Sequence, residues 1–132
     1  MYVYVSYGIY NCVNVVTGKS NWANGVLLRS LAIKGENERI ASGPGLLAKR
    51  FGFNTNHNNL FLSPDNDFWL TKGAPKHKIG EIVQTTRIGI SQAKDIRWRW
   101  YLKSCRSVSK RVKGDKTPPI SKCWQPSSFE GL

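Results

Sequence analysis

Few residues in this chain are placed to do chemistry, and the first to stand out is an arginine in apolar company. Arg29 lies inside the run GVLLRSLAI (residues 25–33), flanked by Leu27, Leu28 and Leu31. Buried without a partner a guanidinium would be costly, so it either alternates to a polar face of its strand or is held by partners in a buried site. A second feature is RWRWYL (97–102), where arginine alternates with large aromatic side chains. One face of such a segment can bury while the other meets water or phosphate.

No self-contained active site emerges beyond these. The chain has no Gly-rich phosphate loop of the P-loop kind, no nucleophile elbow and no His-Glu-x-x-His arrangement. Its carboxylates are Glu36, Glu38, Asp65, Asp67, Glu81, Asp95, Asp115 and Glu130, and most stand in turn-like polar surroundings. A general base needs burial or neighbours that tune its pKa. Only Glu81 and Asp95 lie near hydrophobic strand-like segments, where a surface residue or a cap is the simpler reading of each. Cys12, Cys105 and Cys123 are odd in number, widely spaced and without a Cys-x-x-Cys pair. They read as free, reduced thiols, and neither they nor His57 and His77 have the spacing of a metal site.

Charge is the clearest compositional signal. The net charge is +12, and residues 71–132 carry fourteen Lys/Arg against four Asp/Glu, whereas residues 1–70 carry six against four. A positive field gathered in the second half favours a polyanionic partner, because neutralising phosphates releases condensed counterions. A solvated basic face and an acidic membrane surface are the alternatives. No stretch approaches the roughly 20 apolar residues of a bilayer span, and Met1 is not followed by a basic segment and an apolar run. The expectation is a soluble, unexported, cytoplasmic protein.

The elements that must position these residues follow from pattern. YVYVSYGIYNCVNVV (2–16) is dense in Val and Tyr and interrupted at Tyr7-Gly8, which predicts two strands joined by a tight turn. The polar TGKSNWANG reads as a loop before the strand-like run that holds Arg29. Gly43-Pro44-Gly45 then opens LLAKRF, which stops at Gly52, the pattern of a short helix with a glycine stop. Its amino end would present free N–H groups suited to a phosphate, although most such turns are only structural. FWLTKG and EIVQTTRIGI are predicted strands separated by a Lys/His-rich loop. Residues 113–132 contain three prolines, several serines and little periodicity, and are read as a basic, poorly ordered tail after a single domain over 1–112.

Several separated blocks resemble one family. The opening MYVYVSYGIYNCVNVV followed by GVLLRSLA is similar to the alkyladenine (3-methyladenine) DNA glycosylase segment Leu-Tyr-Val-Tyr-x-x-Tyr-Gly-x-Tyr-x-Cys-x-Asn and then Val-Leu-Leu-Arg-Ala-Leu. SGPGLLAKRFGF resembles that family's Gly-Pro-Gly-Lys-Leu helix, and RIGI and WRWYL resemble its Arg-Ile-Gly-Ile and Trp-Arg-Phe-Tyr-Leu blocks. The blocks stand in the family's order, over about residues 1–111. The resemblance implies an α+β fold: a single domain around a curved antiparallel sheet with short helices, reminiscent of the carboxy-terminal barrel of formyltransferases. It implies no metal and no organic cofactor, a monomer, and duplex DNA containing alkylated purines as partner.

Family members act in base excision repair, extruding a damaged purine and hydrolysing its N-glycosidic bond with an activated water. A base inside the stack cannot be reached, so a side chain must fill the gap that the flipped nucleotide leaves. By the resemblance Tyr7 is that wedge, with Gly8 permitting the turn. Without the resemblance, Tyr7 reads as a half-buried strand aromatic. Tyr4 matches the aromatic that stacks on the extruded base, whose methylation at N3 or N7 gives it positive charge. Asn14 matches a pocket-floor residue that crowds the exocyclic amine of normal guanine. Arg29 matches the arginine that helps hold the nucleophilic water, with the backbone carbonyl of Ile88 as a second anchor. A structural ion pair is the other reading of Arg29. Arg87, Arg97, Arg99 and Lys103 would contribute to the field that grips the duplex.

The chain departs from the family in one respect that bears on chemistry. The family's Glu-Thr-Glu-Ala-Tyr and Ala-His-Ser segments, which precede the hairpin and supply the general base, a second stacking aromatic and a histidine, are not in this sequence. A general base contributes roughly 10²- to 10⁴-fold. Leu46, where the family pattern has lysine, is a smaller departure. The expectation is therefore an amino-terminally truncated monofunctional glycosylase, with a catalytically inactive DNA-binding fragment or a small basic RNA-binding protein as the alternatives.

Overall fold

The structure is a computed structural model and describes residues 1–73 and 75–126. Tyr2–Ser6 (β1) and Tyr10–Thr17 (β2) pair antiparallel with Tyr4 opposite Cys12 and Tyr2 opposite Asn14, and Asn24–Leu27 (β3) pairs with the far end of β2. The alternation of the sequence becomes two faces. Val3 and Val13 turn inward and are buried, whereas Tyr2, Tyr4 and Asn14 stand on the other side of the sheet.

The turn that joins β1 to β2 has positive φ at both Tyr7 (51°) and Gly8 (72°), and the Ile9 amide donates to the Ser6 carbonyl. Glycine adopts that backbone freely, but a tyrosine there costs about 1 kcal/mol or more. Tyr7 is held in the left-handed region with its ring 85% exposed.

Pro44–Phe51 (α1) begins on Gly43-Pro44 and ends on Gly52 in the left-handed conformation, whose amide donates to Lys49. Proline at the helix start and glycine past its end agree with the predicted boundaries. Leu47 and Ala48 of α1 meet Val3, Val13, Ala41 and Phe53 in the core, with Met1, Leu28, Ile33, Phe51 and Phe68 around it. A Cβ on Gly45 would stand 2.8 Å from the Tyr10 ring, so glycine permits α1 to approach β2 closely.

The second sheet pairs Ile82–Thr85 (β4) with Arg99–Leu102 (β5), antiparallel, with Gln84 opposite Trp100. Lys76–Ile79 (α2) is a short helix in the Lys/His-rich loop. Together these elements make an α+β fold whose antiparallel pairing is divided between two sheets that do not close.

Three expectations are corrected. FWLTKG forms no strand: Phe68 turns into a cluster with Phe53 and His57, and no neighbouring strand offers its backbone a ladder. The run that holds Arg29 pairs with β2 as far as Leu27, with one further bond from the Leu28 amide to the Val13 carbonyl, before the chain leaves the sheet. Of the two arginines of RWRWYL expected in the field that grips the duplex, Arg99 turns inward and is 7% exposed, while Arg97 stays exposed, as do Trp98 and Trp100 at 65% and 54%. Of the expected tail, residues 113–126 are seen against β5 and the segment after it, through Asp115, Pro118 and Trp124. Residues 127–132 lie outside the described residues.

Candidate functional site

The face of the first sheet that carries Tyr4 and Asn14 opens on a cleft of about 910 Å³, which Arg29, Arg87, Arg99 and Trp100 also line. Tyr4 is half-buried and stacks on Tyr2 at 5.5 Å between ring centroids. Burial pushes its hydroxyl above the ordinary value, as does Cys12 beside it, while Arg29 opposes the shift. The Asn14 side chain donates to the Tyr2 carbonyl at 3.3 Å, which fixes its amide beside Tyr4.

Arg29 is half-buried where the chain leaves β3, and its Nη2 donates to the Ile88 carbonyl at 2.8 Å. Among the described residues Arg29 forms no ion pair, the other reading left open by the sequence: the titratable groups that act on it are Arg99, Tyr4, Cys12 and Arg87. Burial lowers its pKa first, and the like charges of Arg99 and Arg87 add to that, against Tyr4 and Cys12. No Asp or Glu among the described residues lines the cleft. A guanidinium carries five N–H donors and a carbonyl oxygen two lone pairs, so this contact leaves both groups able to bind a further polar molecule.

Tyr7 stands apart from that cleft, at the end of the same hairpin. It lines a second, more open concavity of about 730 Å³ with Arg87, Ser91, Gln92 and Ala93, and Arg87 and Ile90 border both. One hairpin thus carries an exposed aromatic at its tip and a half-buried aromatic and amide at its base. Arg87 stands between the two hollows.

The remaining basic residues divide by type. Arg99 is buried, its Nε and Nη1 donating to the Thr86 and Lys110 carbonyls at 2.8 and 2.9 Å. Expected in a field that grips phosphates, it lies instead at the floor of the cleft with little exposure, and its donors hold two chain segments together. Arg97 is exposed but exchanges hydrogen bonds with Gln84, Nη2 to the Gln84 carbonyl at 2.8 Å and Gln84 Nε2 to its own carbonyl at 2.9 Å. Arg106 binds Glu38 and the Pro118 carbonyl, and Arg111 binds Asp115 and the Lys103 and Cys105 carbonyls. Every lysine in residues 71–126 whose side chain is described is exposed. Among them Lys103 pairs with Glu81 at 2.8 Å, and the hydrogen bond to that carboxylate raises its pKa. Gly8 is at the tip of the hairpin with open space around it.

Several of these partners have no signal in the sequence. The Thr86 and Lys110 carbonyls that receive Arg99 and the contact of Tyr101 with Asp115 are set between positions 11 to 14 residues apart, without a recurring motif. Trp98 and Trp100 were visible as part of an aromatic and basic run, but their side of the strand was not. Among the described residues no group of three or more His, Cys, Asp or Glu could hold a metal ion, and no helix is long and apolar enough to cross a membrane.

Comparison with known proteins adds to this geometry. The methylpurine-DNA glycosylase family profile matches residues 1–106. Relatives each named "putative 3-methyladenine DNA glycosylase" include one from Trichodesmium erythraeum, 36% identical over 83% of this chain and 63% of its own length. One from Synechococcus elongatus is 34% identical over 84% of the chain and 56% of its own length, and one from Carboxydothermus hydrogenoformans is 39% identical over 83% and 63%. The chain thus spans about three fifths of the length of these relatives.

Proposed function

Since this chain belongs to the methylpurine-DNA glycosylase family, we propose that it engages duplex DNA as a monomer, extrudes a methylated purine and holds the water that attacks its N-glycosidic bond. The observation that carries this reading is the contact to the Ile88 carbonyl made by Arg29, which lines the same cleft as Tyr4 and Asn14. We read the two sheets as parts of one curved antiparallel layer of the formyltransferase-barrel kind; the antiparallel pairing of both supports this.

Each residue then has a task. Tyr7 enters the stack where the nucleotide leaves, and its exposure and strained backbone suit an aromatic held ready outside the protein surface. The extruded base stacks on Tyr4, whose face favours a purine made cationic by methylation. Asn14, its amide fixed by Tyr2, crowds the exocyclic amine of an undamaged guanine. Arg29 donates to a lone pair of the water, and the Ile88 carbonyl accepts a hydrogen bond from one of its O–H groups, which leaves the second lone pair to attack the sugar carbon. Arg87, between the two hollows, steers the strand backbone, while Arg97 and Lys103 add to the outer field and Arg99 positions the segments behind the cleft.

Activation of the water is a separate requirement. The described residues bring no carboxylate into the cleft, so we assign binding and positioning to them and proton abstraction to a carboxylate outside them. In a test by fluorescence anisotropy, the chain should bind a duplex with a single N7-methylguanine about tenfold more tightly than the undamaged duplex, a difference of about 1.4 kcal/mol. Equal affinity would overturn the proposal. Little or no methylated purine should be released from that duplex by the chain alone. Rapid release would overturn the assignment of the base to an outside carboxylate.

A further inference from the structure

Beyond residue 106, where the family match ends, the structure still holds the chain in place. Tyr101 Oη donates to Asp115 Oδ2 at 2.6 Å, and Arg111 Nη1 donates to the same oxygen at 3.0 Å. The Arg111 and Asp115 side chains are only 8% and 10% exposed. Further along, Arg106 Nη1 donates to the Pro118 carbonyl and the Trp124 amide donates to the Ser104 carbonyl at 2.9 Å. These anchors, from Asp115 to Trp124, fix the course of a proline-containing segment that has little apolar burial of its own. The indole they deliver is half-buried and lines the same cleft as Tyr4, Asn14 and Arg29.

That cleft presents a physical difficulty for the substrate assigned above. Its charged lining residues are Arg29, Arg87, Arg99 and Lys110, with no carboxylate among the described residues. A purine methylated at N3 or N7 is itself a cation, so Coulomb forces alone favour neutral bases there. Aromatic faces supply the opposing preference, because the ring quadrupole attracts a cation that has lost part of its hydration. Tyr4 offers one such face from the hairpin. Resting on the function proposed above, we propose that Trp124 is a specificity-determining residue of this chain, an aromatic wall that selects the cationic methylated purine over neutral bases. Asp115 is a positioning residue for it.

The test compares the full chain with Trp124→Ala, Trp124→Phe and Asp115→Asn, by anisotropy on three duplexes of one sequence. One holds a single N7-methylguanine, one a tetrahydrofuran abasic analogue, and one is undamaged. Trp124→Ala should weaken binding to the methylguanine duplex about tenfold, the loss expected when an aromatic face is taken from a partly desolvated cation. Binding to the abasic duplex should stay within about twofold, because no base enters the cleft, and Trp124→Phe should restore most of the loss. Asp115→Asn, which loosens the segment and leaves the indole intact, should give the same lesion-selective loss. Equal weakening on the methylguanine and abasic duplexes, or no change on either, overturns the role of Trp124 while the function stands. A wild-type chain that binds all three duplexes equally overturns the function itself, and the role of Trp124 with it.

Discussion

The guanidinium of Arg29 donates to the carbonyl oxygen of Ile88 at 2.8 Å, across 59 residues of sequence. This contact joins the end of β3 to the RIGI segment, and so ties the sheet that carries Tyr4 and Asn14 to the loop that borders Tyr7. It also holds a cation among cations: burial first, and then the charges of Arg99 and Arg87, lower the Arg29 pKa. The arrangement leaves the site short of negative charge, as a place for a phosphate or a polarised water would be.

Replacing Arg29 by Met keeps most of the packing and removes the donor to Ile88. A hydrogen bond from a charged group contributes about 1.5–3 kcal/mol, and relief of repulsion from Arg99 and Arg87 offsets part of it, so stability should fall by about 1 kcal/mol. Hydrogen exchange should locate the effect. The amides of residues 86–90 are expected to exchange faster in the variant, and unchanged protection would show that Arg29 does not hold the loop.

Tyr7 couples strain to exposure. Tyr7→Gly removes a left-handed tyrosine and should leave thermal stability equal or raised by up to about 1 kcal/mol. The same change should weaken binding to a duplex with an abasic analogue more than binding to undamaged DNA, as should Tyr7→Ser. Equal weakening of both would remove the wedge assignment.

Gly45→Ala raises helix propensity, yet the new Cβ would lie 2.8 Å from the Tyr10 ring. Overpacking should win, with a loss of about 1 kcal/mol in denaturant unfolding. In a Tyr10→Ala background the clash is gone and the sign should reverse. A loss that persists there would mean that the close approach of α1 to β2 is not what requires glycine.

Asp115 carries a pH dependence. The hydrogen bond from Tyr101 and then the charge of Arg111 hold its carboxyl below the ordinary 3.8, against the opposing effect of burial. A depressed folded-state pKa means that its contribution is complete above the unfolded value and is lost as pH falls through the lower folded value. Asp115→Asn leaves the buried Arg111 without its counter-ion and should cost about 2–3 kcal/mol at pH 7. The difference between variant and wild type should shrink as the pH is lowered below about 4. A gap that stays constant down to pH 2 would contradict the pairing.

How much of this was legible depends on the distance over which each feature is determined. The hairpin is local, since Val/Tyr alternation broken by Tyr7-Gly8 specifies both strands and their turn. The helix Pro44–Phe51 is local too, bracketed by Gly43-Pro44 and Gly52. Arg29 announced itself by its apolar neighbours, but its partner is a backbone carbonyl, which leaves no trace in residue type. FWLTKG read as a strand because its composition suits one, and composition cannot supply a strand to pair with. The inward turn of Arg99 was hidden for a similar reason, because the Thr86 and Lys110 carbonyls that receive it belong to segments whose approach no local period encodes. The three prolines after residue 112 suggested looseness, whereas the anchors of that segment are single contacts to Tyr101, Arg106, Arg111 and Ser104.

The division of the basic residues, with arginines spent on carbonyls and carboxylates and lysines left outside, bears on how such a protein would travel. A contact made by a flexible exposed ammonium can be dropped and remade at the next phosphate at little cost, which is what lets a protein slide and hop along a duplex. Arginines 99, 106 and 111 take no part in that exchange, because each is already bound within the chain. On the function proposed above, the cleft would keep its shape while the surface around it changes partners, and translocation and inspection would be carried by different side chains.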